Sequence, residues 1–125
     1  MTYQIAVVTE DGKRISSHFG MAPFYRVFTV SDGELVADSQ LEKAHHERDA
    51  HNHHEHHGAG HGHADMFQPI QDCKVLICGG MGQPAYQKAV DAGLEVILAG
   101  GEARQAVEAY LNGELSSDMR RVHRH

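Results

Sequence analysis

Apolar residues fall into two different rhythms along this chain. Residues 3–8 read YQIAVV, rich in β-branched side chains, and stop at the cluster Glu10-Asp11-Gly12-Lys13, which predicts a buried strand entering a tight turn. Residues 24–30, FYRVFTV, alternate in part and end at Ser31-Asp32-Gly33, after which residues 34–36 are extended again. An Asp-Gly pair between two such runs is a strong hairpin signal. The first third is therefore predicted to be β-rich and partly antiparallel, with residues 16–22 as a loop or a short intervening strand.

The last half follows another pattern. Val75-Leu76-Ile77 is a continuous apolar run between Asp72-Cys73 and Gly79-Gly80, which suits a strand covered on both faces. Over residues 84–92, Ala85, Ala89 and Ala92, with Tyr86 and Val90 beside them, recur at three and four, and Gly93 supplies a stop; this predicts a helix. The unit then repeats: Val96-Ile97-Leu98, the break Gly100-Gly101, and a helical face of Ala103, Val107, Tyr110 and Leu111 closed by Gly113. Two copies at an offset of 21 residues are too few for a solenoid. They describe a strand, Gly-Gly turn and helix used twice, which is how parallel strands are built in α/β domains. Both Gly-Gly turns are expected on one edge of the sheet, the carboxyl edge where ligands bind in open α/β sheets.

Between the halves lies a stretch with nothing to bury. Residues 45–63 hold nine His among Glu47, Asp49, Glu55 and Gly58-Ala59-Gly60, and without periodic apolar residues nothing offsets the entropy of ordering them. A mobile loop of about 20 residues is predicted, long for a compact domain and commonly functional or disordered. A short helix over residues 64–71, bent or broken at Pro69, is expected to lead into the Val75 strand.

At 125 residues the chain suits a single domain, residues 1–125, with the His-rich insert at about 43–64. Eleven Lys plus Arg against 17 Asp plus Glu give a net charge of −6, which disfavours an electrostatic grip on nucleic acid. Cys73 and Cys78 are too few for a disulfide framework and are read as free thiols in a reducing compartment. No run of 18 apolar residues is present, and the start MTYQIAVVTEDGKR lacks the pattern of a secretory signal. No membrane partner and a cytoplasmic address are expected.

The His tract carries the plainest chemistry. His45, His46, His51, His53, His54, His56, His57, His61 and His63 place many imidazole donors on one stretch, suited to Zn, Ni, Cu or ferrous iron without selecting among them. A solvating linker with incidental metal affinity is the plainer alternative, while the interruptions and internal position argue against a purification tag. His18, in Ser17-His18-Phe19-Gly20, is open to two readings, a structural hydrogen-bonding residue or a ligand. Cys78, at the strand end, is expected to be the exposed thiol and Cys73 the packed one, facing opposite sides because they stand an odd number of residues apart. Gly79-Gly80-Met81-Gly82-Gln83-Pro84 brings backbone N–H groups and a helix start to the sheet edge, where an anion is welcome; a turn that only lets helix and strand pack is the alternative. It is neither GxGxxG nor a Walker A sequence. No GxSxG elbow or HExxH is present, and Glu10 and Asp11 look solvated, so little speaks for catalysis.

The opening IAVVTEDGKRISSHFGMAPFYRVFTV, the run DCKVLICGGMGQPAYQKAVDAGLEVILAGG and the closing AVEAYLNGEL together resemble the dinitrogenase iron–molybdenum cofactor biosynthesis family, the NifX-like and NifB C-terminal-like accessory domains. The resemblance covers nearly the whole chain except the His-rich insert, and Ser17-His18-Phe19-Gly20 is its most specific element. It implies a three-layer α/β/α domain with a mixed five-stranded sheet of the ribonuclease H-like kind, without that nuclease's carboxylates. It also implies noncatalytic binding or delivery of a metal–sulfur cluster of the iron–sulfur, iron–molybdenum or molybdenum–copper sulfide type. The orange protein of sulfate-reducing bacteria, similar in size, holds a cluster of the last kind. On this resemblance His18, Phe19, Gly20, Cys78, Gly79, Gly80, Met81 and Gly82 are the expected cluster-binding residues, and cluster donor and acceptor proteins the expected partners. Two rivals follow: a metal-ion buffer or chaperone working through the His-rich loop, and a metal-dependent nuclease, against which the missing carboxylate cluster argues.

Overall fold

The computed structural model describes residues 1–42, 67 and 69–123. Strand β1 (Thr2–Thr9) pairs antiparallel with β2 (Phe24–Ser31), and β2 with β3 (Glu34–Glu42). The β2–β3 turn is the predicted Asp-Gly hairpin: Asp32 and Gly33 have φ of 52° and 82°, the left-handed pair that a two-residue turn needs to match strand twist. Strand β4 (Val75–Cys78) then pairs parallel with β1, and β6 (Glu95–Leu98) parallel with β4. One mixed sheet results, in the order β3-β2-β1-β4-β6.

The two helices land on opposite faces of the sheet. Helix α1 (Gln83–Asp91) buries Ala89, with Ala85 and Tyr86 partly buried, against Ala6, Val8, Leu76, Cys78 and Leu98. Helix α2 (Ala103–Leu111) buries Ala103, Ala106 and Val107 against Ile5, Val7, Val75, Ile77 and Ile97. Successive strand residues point to opposite faces, so β1 and β4 supply both cores, and the expected three layers follow. This explains why Val75-Leu76-Ile77 shows no alternation: all of β4 is buried. Each helix ends where a glycine turns the chain, Gly93 at φ 93° and Gly113 at φ 75°.

Two features carry no signal in the periodicity. Strand β5 (Met81–Gly82) follows β4 after Gly79-Gly80 and pairs parallel with β7 (Val122–His123) in a second, two-stranded sheet. Residues 114–123 thus return to the domain after α2. Of the helix expected over residues 64–71, residues 67 and 69–71 are described: residues 67, 69 and 70 lie in 3-10 geometry and residue 71 in a turn. The rest of it, and the His-rich insert, lie outside the described residues. Among the described residues no helix is long and apolar enough to cross a membrane.

Candidate functional site

The parallel strands β1, β4 and β6 end on one edge, as the repeated strand and Gly-Gly turn predict, and the segment after β1 runs across that edge. The turn that sends it there is built from side chains of its own sequence. Thr9 Oγ1 accepts the Gly12 N–H at 2.8 Å, and Asp11 Oδ1 accepts those of Lys13 and Arg14 at 2.9 and 3.0 Å. The Arg14 amide first, then that of Lys13, holds the Asp11 carboxyl below its ordinary range. The returning chain is then hydrogen-bonded to all three strand ends. Ser16 N donates to Val8 O at 2.8 Å, Gly79 N to Ser16 O at 2.7 Å, Phe19 N to Gly80 O at 3.0 Å and Ile15 N to Gly101 O at 2.9 Å.

This roof explains the glycine at the end of β4. A Cβ on Gly79 would stand 2.8 Å from Ser16 O and 3.1 Å from Ser17 Cα, closer than real side chains come. Gly79, Gly80 and Met81 are all buried, and the Gly79 amide is consumed by Ser16 O. The exposed groups at the edge include Glu10, Asp11, Arg14, Ser17 and His18 on the roof, and Gly100, Gly101 and Glu102 beyond β6. A cleft of about 190 Å³ runs along the roof, lined by Glu10, Asp11, Arg14, Ile15, Ser16 and Ser17.

His18 stands on this roof, exposed, on a backbone that is held at both ends. Its N–H donates to Ser16 Oγ at 3.1 Å, and that buried hydroxyl donates in turn to Glu10 Oε2 at 3.0 Å. Its carbonyl accepts the Met21 and Ala22 amides at 3.0 and 3.1 Å. Phe19 next to it is the anchor: 2% exposed, it stacks on Phe67 with centroids 5.3 Å apart and lies 6.5 Å from the ring of Tyr25. The Ser-His-Phe-Gly element thus fixes a solvent-facing imidazole with a buried aromatic beside it. Gly20 is half-buried with open space where a Cβ would point.

The cysteines reverse the expectation. Cys78 is fully buried, its thiol within hydrogen-bonding reach of Gly80 O at 3.1 Å and Ser16 O at 3.7 Å, whereas Cys73 is the partly exposed one. Both pack into the same core, on the α1 face. The odd-spacing rule fails because Cys73 precedes β4 and does not share its pleat. Burial, and then the nearby Asp72 charge, push the Cys73 thiol up to about 11, so it stays protonated at neutral pH.

The structure therefore brings Ser16, Ser17 and Phe19 against Gly79 and Gly80, with His18 and Gly20 flanking Phe19 in the chain, Cys78 hydrogen-bonded to Gly80 O and Ser16 O, and Met81 and Gly82 forming β5. Among the described residues, three or more His, Cys, Asp or Glu side chains nowhere gather into a metal-binding group. The nine His of residues 45–63 lie outside the described residues. Sequence reasoning misses Ser16 and Glu10, whose link to His18 has no motif signature, and Arg121, which donates to Gly79 O at 3.0 Å from the far end of the chain.

The family described as dinitrogenase iron-molybdenum cofactor matches this chain over residues 1–113. Solved structures show the same fold. The apo form of the orange protein from Desulfovibrio gigas is 26% identical, with 93% of this chain and 92% of that one covered and a TM-score of 0.64. A Methanocaldococcus jannaschii protein provisionally described as a dinitrogenase is 16% identical, with 94% and 96% covered and a TM-score of 0.66. A Thermotoga protein of the DUF35 family, provisionally described as a NifB protein, is 19% identical, with 92% of each chain covered and a TM-score of 0.63. No curated protein matches the chain.

Proposed function

The chain belongs to the dinitrogenase iron–molybdenum cofactor family, and from that membership we propose that it is a noncatalytic cytoplasmic carrier that binds a metal–sulfur cluster at the carboxyl edge of its sheet and passes it on. The observation that carries this reading is His18: an exposed imidazole whose backbone is fixed through Ser16 and Glu10 and whose neighbour Phe19 is locked in the core. A rigid mount with a free donor is what a reversible ligand needs, since little ordering entropy is lost on binding. The imidazole either ligates a cluster metal or donates an N–H to cluster sulfur.

Gly20 and Gly82 complete the partly open rim. Phe19, Cys78, Gly79, Gly80 and Met81 are buried, so their part in the site is to shape it and to hold the roof. Cluster donor and acceptor proteins are the partners this role implies, and their surfaces would meet the same edge. The cluster is of the iron–sulfur, iron–molybdenum or molybdenum–copper sulfide type. Residues 1–125 act as one domain in this reading, with the insert as its metal-recruiting arm.

One specific feature favours a second reading, a buffer or chaperone for divalent metal: the nine His of residues 45–63. Deleting residues 45–63 separates the two. A cluster with its sulfide retained by the deleted chain supports the carrier, and loss of all bound metal supports the buffer.

A further inference from the structure

The family match ends at residue 113, yet the chain beyond it stays on the domain. Leu98 N donates to Ser117 Oγ at 2.9 Å, and Asp118 N donates to Leu98 O at 2.9 Å. Met119–Arg121 then form a 3-10 turn, and Val122–His123 join Met81–Gly82 in the small parallel sheet. This tail crosses the ends of β6 and β4 and carries Arg121 to both Gly-Gly turns. Arg121 Nη1 donates to Gly79 O at 3.0 Å. Its Nη2 lies 3.4 Å from where a Cβ on Gly100 would stand, so glycine there lets the guanidinium seat against the turn. The two carbonyls of one turn are therefore held by different segments: Gly79 O by Arg121, and Gly80 O by the Phe19 amide beside His18.

The guanidinium is only partly satisfied. Arg121 Nε is buried and has no hydrogen-bond partner among the described residues. Asp118 Oδ2 makes an ion pair with it at 3.8 Å, longer than a hydrogen bond, and shares that carboxylate with the Arg120 guanidinium, from which it accepts two bonds at 3.0 and 3.2 Å. Nε is enclosed, as is that of Arg26, while the Arg121 side chain as a whole is 40% exposed, so the donors a ligand would meet are the Nη hydrogens not spent on Gly79 O.

We propose that Arg121 is the anion-recognising residue of the carboxyl edge, its guanidinium held by Gly79 O and presenting its remaining donors to a sulfido or oxido group of an anionic metal–sulfur cluster. This rests on the carrier reading and adds the residue that supplies charge to it. With a net charge of −6 the chain repels an anion at long range, so uptake needs a cation fixed at the site. Arginine suits the task because its planar fork of five N–H donors can keep one bond to a carbonyl while offering others.

The test is an anaerobic titration of the full chain with tetrathiomolybdate, a thiometallate dianion, followed by its visible absorption and by calorimetry. Arg121→Gln keeps an amide donor for Gly79 O and removes the charge. Arg120→Gln removes the same charge from a side chain that is 90% exposed. Wild type and Arg120→Gln are expected to bind alike, while Arg121→Gln binds about tenfold to a hundredfold more weakly, the loss of a charge-assisted contact, with a shallower salt dependence. Equal binding by wild type and Arg121→Gln overturns the inference, as do equal losses in both variants, which would report net charge alone. Should Arg121→Gln lose its circular dichroism spectrum, Arg121→Lys carries the same test: reduced affinity in a folded protein supports the fork, and unchanged affinity overturns it. A wild-type chain that takes up no tetrathiomolybdate overturns the carrier reading itself.

Discussion

Gly79 shows how one residue couples the fold to the site. Its missing side chain lets Ser16 O approach the end of β4, and that contact lays His18 over the sheet edge. Gly79→Ala should cost about 1–3 kcal/mol through the forced displacement, seen as a lower denaturation midpoint, and should shift the NMR resonances of residues 16–20 most. The cysteines give a second prediction. Cys78 is buried and Cys73 is held protonated, so a thiol reagent at pH 7 should label Cys73 slowly and Cys78 only on unfolding. Labelling of Cys73 should quicken as pH approaches about 11. The same shift has a stability consequence. Burial raises Cys73 from 9.0 to about 11, and burial with the Glu95 hydrogen bond raises Tyr110 from 10.0 to about 12. In that window the unfolded chain sheds these protons first, so stability is full below about pH 9 and falls as pH rises toward 12. Urea midpoints measured across pH 8 to 12 check the sign.

At the scale of elements, what the sequence discloses depends on how local the cause is. The Asp32-Gly33 hairpin and the strand, Gly-Gly turn and helix used twice are legible because turn chemistry and periodicity are written in neighbouring residues. The roof over residues 13–19 and the pairing of β5 with β7 are not. They are made of backbone bonds between distant segments, such as Ile15 N to Gly101 O, which impose no pattern on side chains. The Cys73 and Cys78 faces were misjudged for a related reason, since the period of two holds only inside a strand and β4 begins at Val75. His18 stands out as a candidate only through the family resemblance and not through its surroundings. The tail supplies the element-scale prediction. Ser117→Ala leaves the Leu98 amide, now bonded to Ser117 Oγ at 2.9 Å, without that partner. It should lower stability by about 1–3 kcal/mol and increase hydrogen exchange at Leu98 and at Asp118.

For the molecule as a whole, three layers leave one edge where chemistry can gather. Helices cover both faces of the sheet, the antiparallel strands β2 and β3 close one side, and the parallel strands deliver their carboxyl ends together. On that edge the roof presents His18, the tail presents Arg121, and the two meet the same Gly79-Gly80 turn from different parts of the chain. The carrier proposed above draws on this combination of a fixed scaffold and exposed donors. The measurement that tests this most directly is anaerobic isolation of the untagged chain and of His18→Ala, each analysed for metal, acid-labile sulfide and visible absorption. The account predicts metal with stoichiometric sulfide and a charge-transfer band that His18→Ala weakens. Divalent metal without sulfide, indifferent to His18→Ala, would contradict it and move the metal chemistry to the His-rich insert.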